Sequence, residues 1–387
     1  MTESRVSQLR DQVYLFCRDS LWKAVDLLCR LVPASPKYIW FESEIDFAEN
    51  TRALYEYMQK TPEYQDYHMI WCVEDPSAYK SRKNTLFLKR TRGGFQYSCC
   101  FNRCKYILLT HPFDLEHWKK SQVVINTWHG NPFKAPNKDP LPGRFDYMLA
   151  SSEDGVRFRR KEFSGDFEMV ILGAPRLDWL FEDGPDLNQI IDTEKYRKII
   201  YCMPTYKQRE NFSDSEETPT YSINVVNSWE ELTELNRQLQ KKNVLLVCII
   251  HHLQKMDGIN TEALSNILYL RDEDYGAKGL VMNQMIRSAD ALVTDFSGVF
   301  LDYILLDRPI GFFCNTTDLY TRGFTMENPE DYMPGPHIET MEQFLSFIDD
   351  VVNEKDDYRE FRRRVCRTVH KYRDNCNCRR FLNYFHI

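Results

Sequence analysis

The sequence has no run approaching the ~20 apolar residues that a membrane-spanning helix requires. Its first stretch, residues 1–12, is too polar for a secretory leader. These absences predict a protein of the reducing cytoplasm, in which the twelve cysteines remain thiols. Zinc spacing is also missing. Cys99, Cys100 and Cys104 have no matching Cys or His pair, and Cys376 with Cys378 is C-x-C, so no metal site is expected. Cys72, Cys202, Cys248 and Cys314 lie in apolar, strand-like runs, where a thiol acts as a small hydrophobe. A net charge of −7 lacks the basic balance of a nucleic-acid-binding domain. There is no G-x-x-x-x-G-K, no G-x-G-x-x-G after a strand, no G-x-S-x-G and no H-E-x-x-H. ATP hydrolysis, nicotinamide binding, esterase and zinc-protease chemistry therefore lack support.

What is present is globular. With 43% hydrophobic residues over 387 positions, the chain can fill two cores without staples. Short apolar runs at Lys37–Phe41, Met69–Val73, Lys105–Thr110, Val123–Thr127, Tyr147–Ser151 and Met169–Leu172 read as strands. Helical patterns at Asn50–Lys60, Gly93–Phe101 and Glu153–Phe163 fall between them, with Ser152 placed to cap the third. A second strand series follows at Ile199–Met203, Val244–Ile250, Ile267–Leu270, Ala291–Thr294 and Ile310–Phe313. Its helices are expected at Ser228–Lys241, Met282–Ser288, Val299–Leu306 and Met341–Asn353. Continuous apolar strands alternating with helices mean βαβ units and buried parallel sheets. The expected fold is α/β, two Rossmann-like open parallel-sheet domains, residues 1–190 and 191–387, facing a cleft. Glu182–Glu194 reads as the linker and Gln208–Thr220 as an exposed loop. The last helix, from Tyr358 on, is placed to brace the first domain.

Two surface features carry alternatives. The amphipathic segment 13–33 either packs as a core helix or lies at a membrane interface. The basic cluster Arg157, Arg159, Arg160 and Lys161, like Lys119 and Lys120, is either a solvated helix face or an anionic-surface contact.

Candidate chemistry sits where polar groups directly follow strands, since open α/β sheets bind ligands beyond their strands' carboxyl ends. His129 follows one such strand, in Trp128-His129-Gly130-Asn131, and can serve as a general base or hold a phosphate. His251 and His252 end a seven-residue apolar strand. Strand neighbours point to opposite sides, so only one of them should face the cleft. In Thr294-Asp295-Phe296-Ser297-Gly298-Val299 a strand turns into a helix whose first N–H groups suit an anion. Ser297 would cap that helix or bond a phosphate oxygen.

In their order these motifs resemble the CDP-glycerol glycerophosphotransferase family of teichoic acid synthesis. Phe41-Glu42-Ser43 with residues 50–55 (NTRALY) is similar to the family's amino-terminal signature. Thr127-Trp128-His129-Gly130-Asn131-Pro132-Phe133-Lys134 resembles T-W-H-G-T-P-L-K, and Met203-Pro204-Thr205-Tyr206-Lys207 resembles A-P-T-[WF]-R. Residues 294–299 and 300–313 resemble T-D-Y-S-S-V and the D-[KR]-P-I run that follows it. Arg322-Gly323-Phe324 and Pro334-Gly335-Pro336 are similar to the closing pair. Lys207 stands for arginine, Asn131 for threonine and Gly298 for the second serine. The family's K-L-H-P is reduced to Ile249-Ile250-His251-His252.

The resemblance implies a GT-B-like fold and transfer of glycerol phosphate from CDP-glycerol to a hydroxyl, with release of CMP and no cofactor. It implies His129 and His251 as the catalytic pair. Thr205, Lys207, His252, Asp295, Ser297, Gly298 and Asp302 would bind donor phosphate. Trp128, Gly130 and Asn131 would lie on the acceptor side. The implied partners are a lipid-linked disaccharide or glycan and the inner face of the cell membrane, with no nucleic acid. The short stretch before the first strand favours a primase-like enzyme. A ribitol-phosphate or capsule polyol-phosphate transferase, and a nucleotide-sugar glycosyltransferase of GT-B fold, are the alternatives.

Overall fold

The computed structural model describes residues 24–90, 94–111, 118–131, 133–135, 140–205, 221–250, 260–314 and 323–387. The first sheet contains β1 (Ser35–Glu42), β2 (His68–Val73), β3 (Thr85–Lys89), β4 (Cys104–Leu109), β5 (Val123–Asn126), β7 (Tyr147–Ala150) and β9 (Glu168–Ile171). Two short strands, β6 (Leu141–Pro142) and β8 (Phe163–Ser164), pair with each other beside it. The second sheet contains β10 (Lys198–Met203), β11 (Val244–Ile250), β12 (Ile267–Arg271), β13 (Ala291–Thr294), β14 (Ile310–Phe313) and β15 (His337–Ile338). Strand order is β3-β2-β1-β4-β5-β7-β9 in the first and β12-β11-β10-β13-β14-β15 in the second. Every pairing in both is parallel. Each sheet reverses direction beside its first strand, so each has a switch-point crevice at β1/β4 and at β10/β13.

Strand alternation divides each domain's core into two layers. From β1, Ile39 and Phe41 enter one cluster and Trp40 the other. From β10, Tyr201 and Met203 go to one side, Ile200 and Cys202 to the other. Cys72, Cys202 and Cys248 are fully buried within strands, and Cys314 lies half-buried just after β14.

The helices that position the cleft are short and locally determined. Helix α1 (Glu49–Lys60) buries Asn50, Ala53, Leu54 and Met58 on one face. It ends because Thr61 precedes Pro62 and is pushed into extended backbone. Helix α2 spans Phe95–Arg103. In α3 (Glu153–Glu162) the Ser152 hydroxyl accepts from the Gly155 N–H at 3.0 Å, the expected cap. Helices α4 (Trp229–Lys242), α5 (Asp272–Gly276), α6 (Met282–Ile286), α7 (Val299–Tyr303) and α8 (Met341–Val352) flank the second sheet. The C-terminal stretch divides into α9 (Arg359–Val369) and α10 (Asn377–Tyr384). Phe381, Leu382 and Phe385 of that last segment join the first domain's core, and the Tyr106 hydroxyl donates to the Phe385 carbonyl.

Three expectations are corrected. Residues 24–29 are helical, but Leu27, Leu28 and Leu31 are 63%, 67% and 81% exposed, so this end of the amphipathic segment is not a core helix. The basic cluster on α3 is not a uniform solvated face. Arg159 is 4% exposed and paired with Glu162, and Lys161 donates to the Thr325 carbonyl of the second domain. Edge strands β3 and β15 went unpredicted: β15 has only two residues, and the apolar run within β3, residues 86–88, is short. The Gln208–Thr220 loop lies outside the described residues, as do residues 13–23 of the amphipathic segment.

Candidate active site

The carboxyl end of β5 carries an unusual turn. The Asn126 side chain accepts the Trp128 N–H at 2.8 Å, and Thr127 is tied through its hydroxyl to the Leu109 carbonyl. Trp128 has φ +52°, a left-handed backbone that a residue with a Cβ rarely adopts. Its indole stacks on the His129 imidazole with centroids 4.2 Å apart. Nδ1 of His129 donates to the Thr110 carbonyl at 3.3 Å and lies 3.6 Å from Glu44. This contact fixes the tautomer and leaves Nε2 as the basic nitrogen. The His129 side chain is 41% exposed. Surrounding protein still holds its pKa below the ordinary imidazole value, against the pull of Glu44 and the Thr110 carbonyl.

The segment after His129 crosses to the second domain. Lys134 pairs with Phe324 in an antiparallel bridge, and Phe133 packs edge-on against Phe300 and Phe324. Lys134 thereby reaches Thr205 beyond β10, donating to its hydroxyl at 2.9 Å. Thr205 in turn donates from its backbone and its hydroxyl to Asp295 beyond β13. Asp295 also accepts the Ser297 N–H at 3.1 Å. Burial raises the Asp295 carboxyl, opposed by Lys134 and these donors. The structure thus joins Thr205, Asp295 and Ser297 at the second switch point.

Other assigned residues land differently. Asp302, assigned to donor phosphate, is engaged by protein side chains. Its carboxylate is taken up by Arg176 in a bidentate pair and by the amides of Asn131 and Asn283. These contacts tie the two domains together. Asn131, expected on the acceptor side, belongs to this interdomain network and also accepts from Ser151. Ser297 is no helix cap: the cap position is Gly298, without a side-chain hydrogen bond. A Cβ at Gly298 would meet the Asn131 carbonyl at 3.3 Å, so the glycine permits the two domains to approach. The Gly130 carbonyl accepts from Arg159. Lys207, His251 and His252 lie outside the described residues.

Sequence reasoning missed Glu44, Asn50, Thr110, Arg159 and Arg176, and gave Lys134 no role. Only Asn50 and Lys134 stood within a motif. The rest act through contacts across long chain separations that no local pattern reveals. A cleft of about 760 Å³ opens beside the site. Phe47, Glu49, Arg52 and Arg82 line it from the first domain, Asp272, Tyr275 and Asn283 from the second. The Glu49 carboxyl, enclosed there beside Arg176, is raised by burial to about 7. Among the described residues no group of three or more His, Cys, Asp or Glu side chains converges as a metal site.

Two parallel sheets, bridged beyond their carboxyl ends by Lys134 and Thr205, give this protein a GT-B-like fold. The wall teichoic acid polymerase TagF shares that fold, with a TM-score of 0.75 at 21% identity, over 98% of this chain and 97% of the other. A teichoic acid poly(glycerol phosphate) polymerase of Bacillus spizizenii is 24% identical over 87% of this chain and 89% of its own length. A teichoic acid glycerol-phosphate transferase of Staphylococcus aureus is 22% identical over 94% of this chain and all of its own length. Against other relatives the chain spans about half the length, 44% of the Staphylococcus epidermidis polymerase and 52% of a poly(ribitol-phosphate) polymerase. The model of the family CDP-Glycerol:Poly(glycerophosphate) glycerophosphotransferase matches residues 25–386, and the chain belongs to that family. It is a transferase enzyme of the teichoic acid type.

Proposed function

We propose that the enzyme transfers glycerol phosphate from CDP-glycerol to a hydroxyl of a lipid-linked glycan, one unit at a time in primase-like fashion, and releases CMP. The observation that carries this reading is His129, beyond the carboxyl end of β5, with Nδ1 held by the Thr110 carbonyl. Its Nε2 takes the acceptor hydroxyl proton as that oxygen attacks the phosphorus bearing glycerol. The phosphorus–oxygen bond to CMP breaks, and CMP carries away the charge. Lys134, Thr205 and Ser297 flank the donor phosphates. Lys207, His251 and His252, which follow β10 and β11 in sequence, are assigned to the same diphosphate. Trp128 and Gly130 shape the acceptor side.

The cleft beside Glu49 has the size of a nucleotide site. TagF has been solved after soaking with CDPG, which supports the choice of donor. The Staphylococcus aureus relative, matched along its whole length, is named a glycerol-phosphate transferase, which supports glycerol phosphate as the transferred group. Among the described residues no helix is long and apolar enough to cross a membrane. The exposed Leu27, Leu28 and Leu31 are proposed to meet the inner membrane face, where a lipid-linked acceptor resides.

The test is incubation with CDP-glycerol, CDP-ribitol or UDP-sugars and a lipid-disaccharide analogue, read by product mass. One added glycerol phosphate from CDP-glycerol is expected. His129→Ala should lower the rate by about 10²–10⁴-fold while still binding donor. Transfer only from CDP-ribitol would change the polyol, a ladder of additions would exclude single transfer, and transfer only from UDP-sugars would overturn the reading.

A further inference from the structure

We infer that Asn50 is a positioning residue for the transfer reaction: from the second residue of α1 it holds the left-handed Trp128 backbone that aims His129 into the cleft. The inference rests on the reading of His129 as the base.

Asn50 is 1% exposed, and its side chain is spent on backbone groups. One amide nitrogen donates to two consecutive carbonyls, Thr127 at 2.9 Å and Trp128 at 2.8 Å. The amide oxygen accepts the Arg176 N–H at 3.1 Å. A primary amide satisfies all three partners; no carboxylate or hydroxyl of similar size can donate twice and accept at the other end. The two carbonyls it binds are those just before His129. Trp128 at φ +52° keeps that conformation only where its surroundings enforce it. The Asn126 side chain holds the N–H of that turn and Asn50 holds its carbonyls. Without Asn50, two buried acceptors lose their donor and Trp128 can relax to ordinary backbone. Its indole then carries the stacked imidazole away from the Thr110 carbonyl.

Helix α1 does not need Asn50 for its own anchorage, because Ala53, Leu54, Tyr55 and Met58 bury its apolar face. Asn50 therefore acts through His129 and not on the substrate. Through Arg176 it also touches the Asp302 pair that spans the domains, so the aim of the base is coupled to the domain interface.

The test uses the full-length protein with Asn50→Ala and Asn50→Asp, each alone and combined with His129→Ala. Single-turnover rates with CDP-glycerol and a soluble acceptor are measured, together with donor affinity by calorimetry and melting temperature. Each single variant should lose about 10²-fold in rate, the scale of a misplaced catalytic group, with donor affinity unchanged. The acidic limb of its rate–pH profile should also move, which a loss of stability alone would not cause. In the His129→Ala background neither variant should cost anything further, since both act through the same imidazole. Losses that add to that of His129→Ala, or rates equal to wild type, would overturn the inference. Full activity in His129→Ala alone would remove the base assignment, and the inference with it. Should Asn50→Ala fail to fold, Asn50→Asp keeps the size and the acceptor oxygen and carries the test.

Discussion

His129 is built to be a neutral base. Burial disfavours its imidazolium form, while Glu44 and the Thr110 carbonyl favour it, and burial wins. Its pKa in the folded protein therefore lies below the ordinary 6.5. Because the active form is the neutral one, kcat/KM should rise with pH through that lowered value and then reach a plateau. Glu44→Gln removes a favourable charge, so its acidic limb should shift to still lower pH. Rate–pH profiles of the two proteins check this, and a limb moving upward would refute the role given to Glu44. The second-domain residues are arranged differently. Asp295 spends its carboxylate on Thr205 and Ser297, which leaves Lys134 as the cation that Asp295 and Thr205 hold in place.

Among the elements, α10 shows how a short helix is held without a cap of its own. Cys376 at its N-cap makes no side-chain cap. Asp178, from a 3₁₀ turn at Pro175–Leu180, accepts instead from the Asn377 N–H, the Asn377 amide and the Cys378 N–H. Asp178 is 2% exposed, so its removal strands three donors in the core. Asp178→Ala should cost about 2–3 kcal/mol, in the range of hydrogen bonds to a charged group. Thermal denaturation would show it, and an unchanged melting temperature would mean that apolar packing of Phe381 and Leu382 suffices. Helix α3 teaches a related point. Its basic residues look alike in sequence, yet Arg157 is 63% exposed in solvent while Arg159 is buried against the Gly130 carbonyl. Charge reversal at Arg159 therefore acts on the active-site turn and cannot report on membrane contact.

The two domains are joined by a buried ion pair and a shared core. Arg176 and Asp302 are 126 positions apart, almost fully buried, and bonded side-on through Nε and Nη2 of the guanidinium. Phe133, Leu177 and Leu187 of the first half pack into the second domain's cluster. Asp302→Ala leaves an uncompensated guanidinium and should cost about 3–5 kcal/mol. Replacing both partners, as in Arg176→Met with Asp302→Leu, should be milder, because no charge remains buried. Chemical denaturation of the single and double variants measures this. A double variant less stable than Asp302→Ala would show that the pair contributes more than mutual neutralisation.

Local pattern was enough for much of this protein. Apolar runs such as residues 244–250 leave a chain little choice but a buried strand, and Ser152 ahead of a polar helix is a cap wherever it occurs. Strand-end placement singled out His129 and the 294–299 turn with Asp295, because open parallel sheets bind ligands beyond their carboxyl edges, whereas Thr205 entered only through the family resemblance. Edge strands β3 and β15 escaped because they are short, five and two residues, and pair on one side only. Tertiary structure alone decided which polar residues face each other. That Asp302 pairs with Arg176, 126 positions away, shows in no local pattern. Asn50 looks like a helix start until its amide meets two carbonyls beyond β5. Charge and hydrogen-bond capacity are properties of a residue, but the partner that uses them is set by packing between segments far apart in the chain.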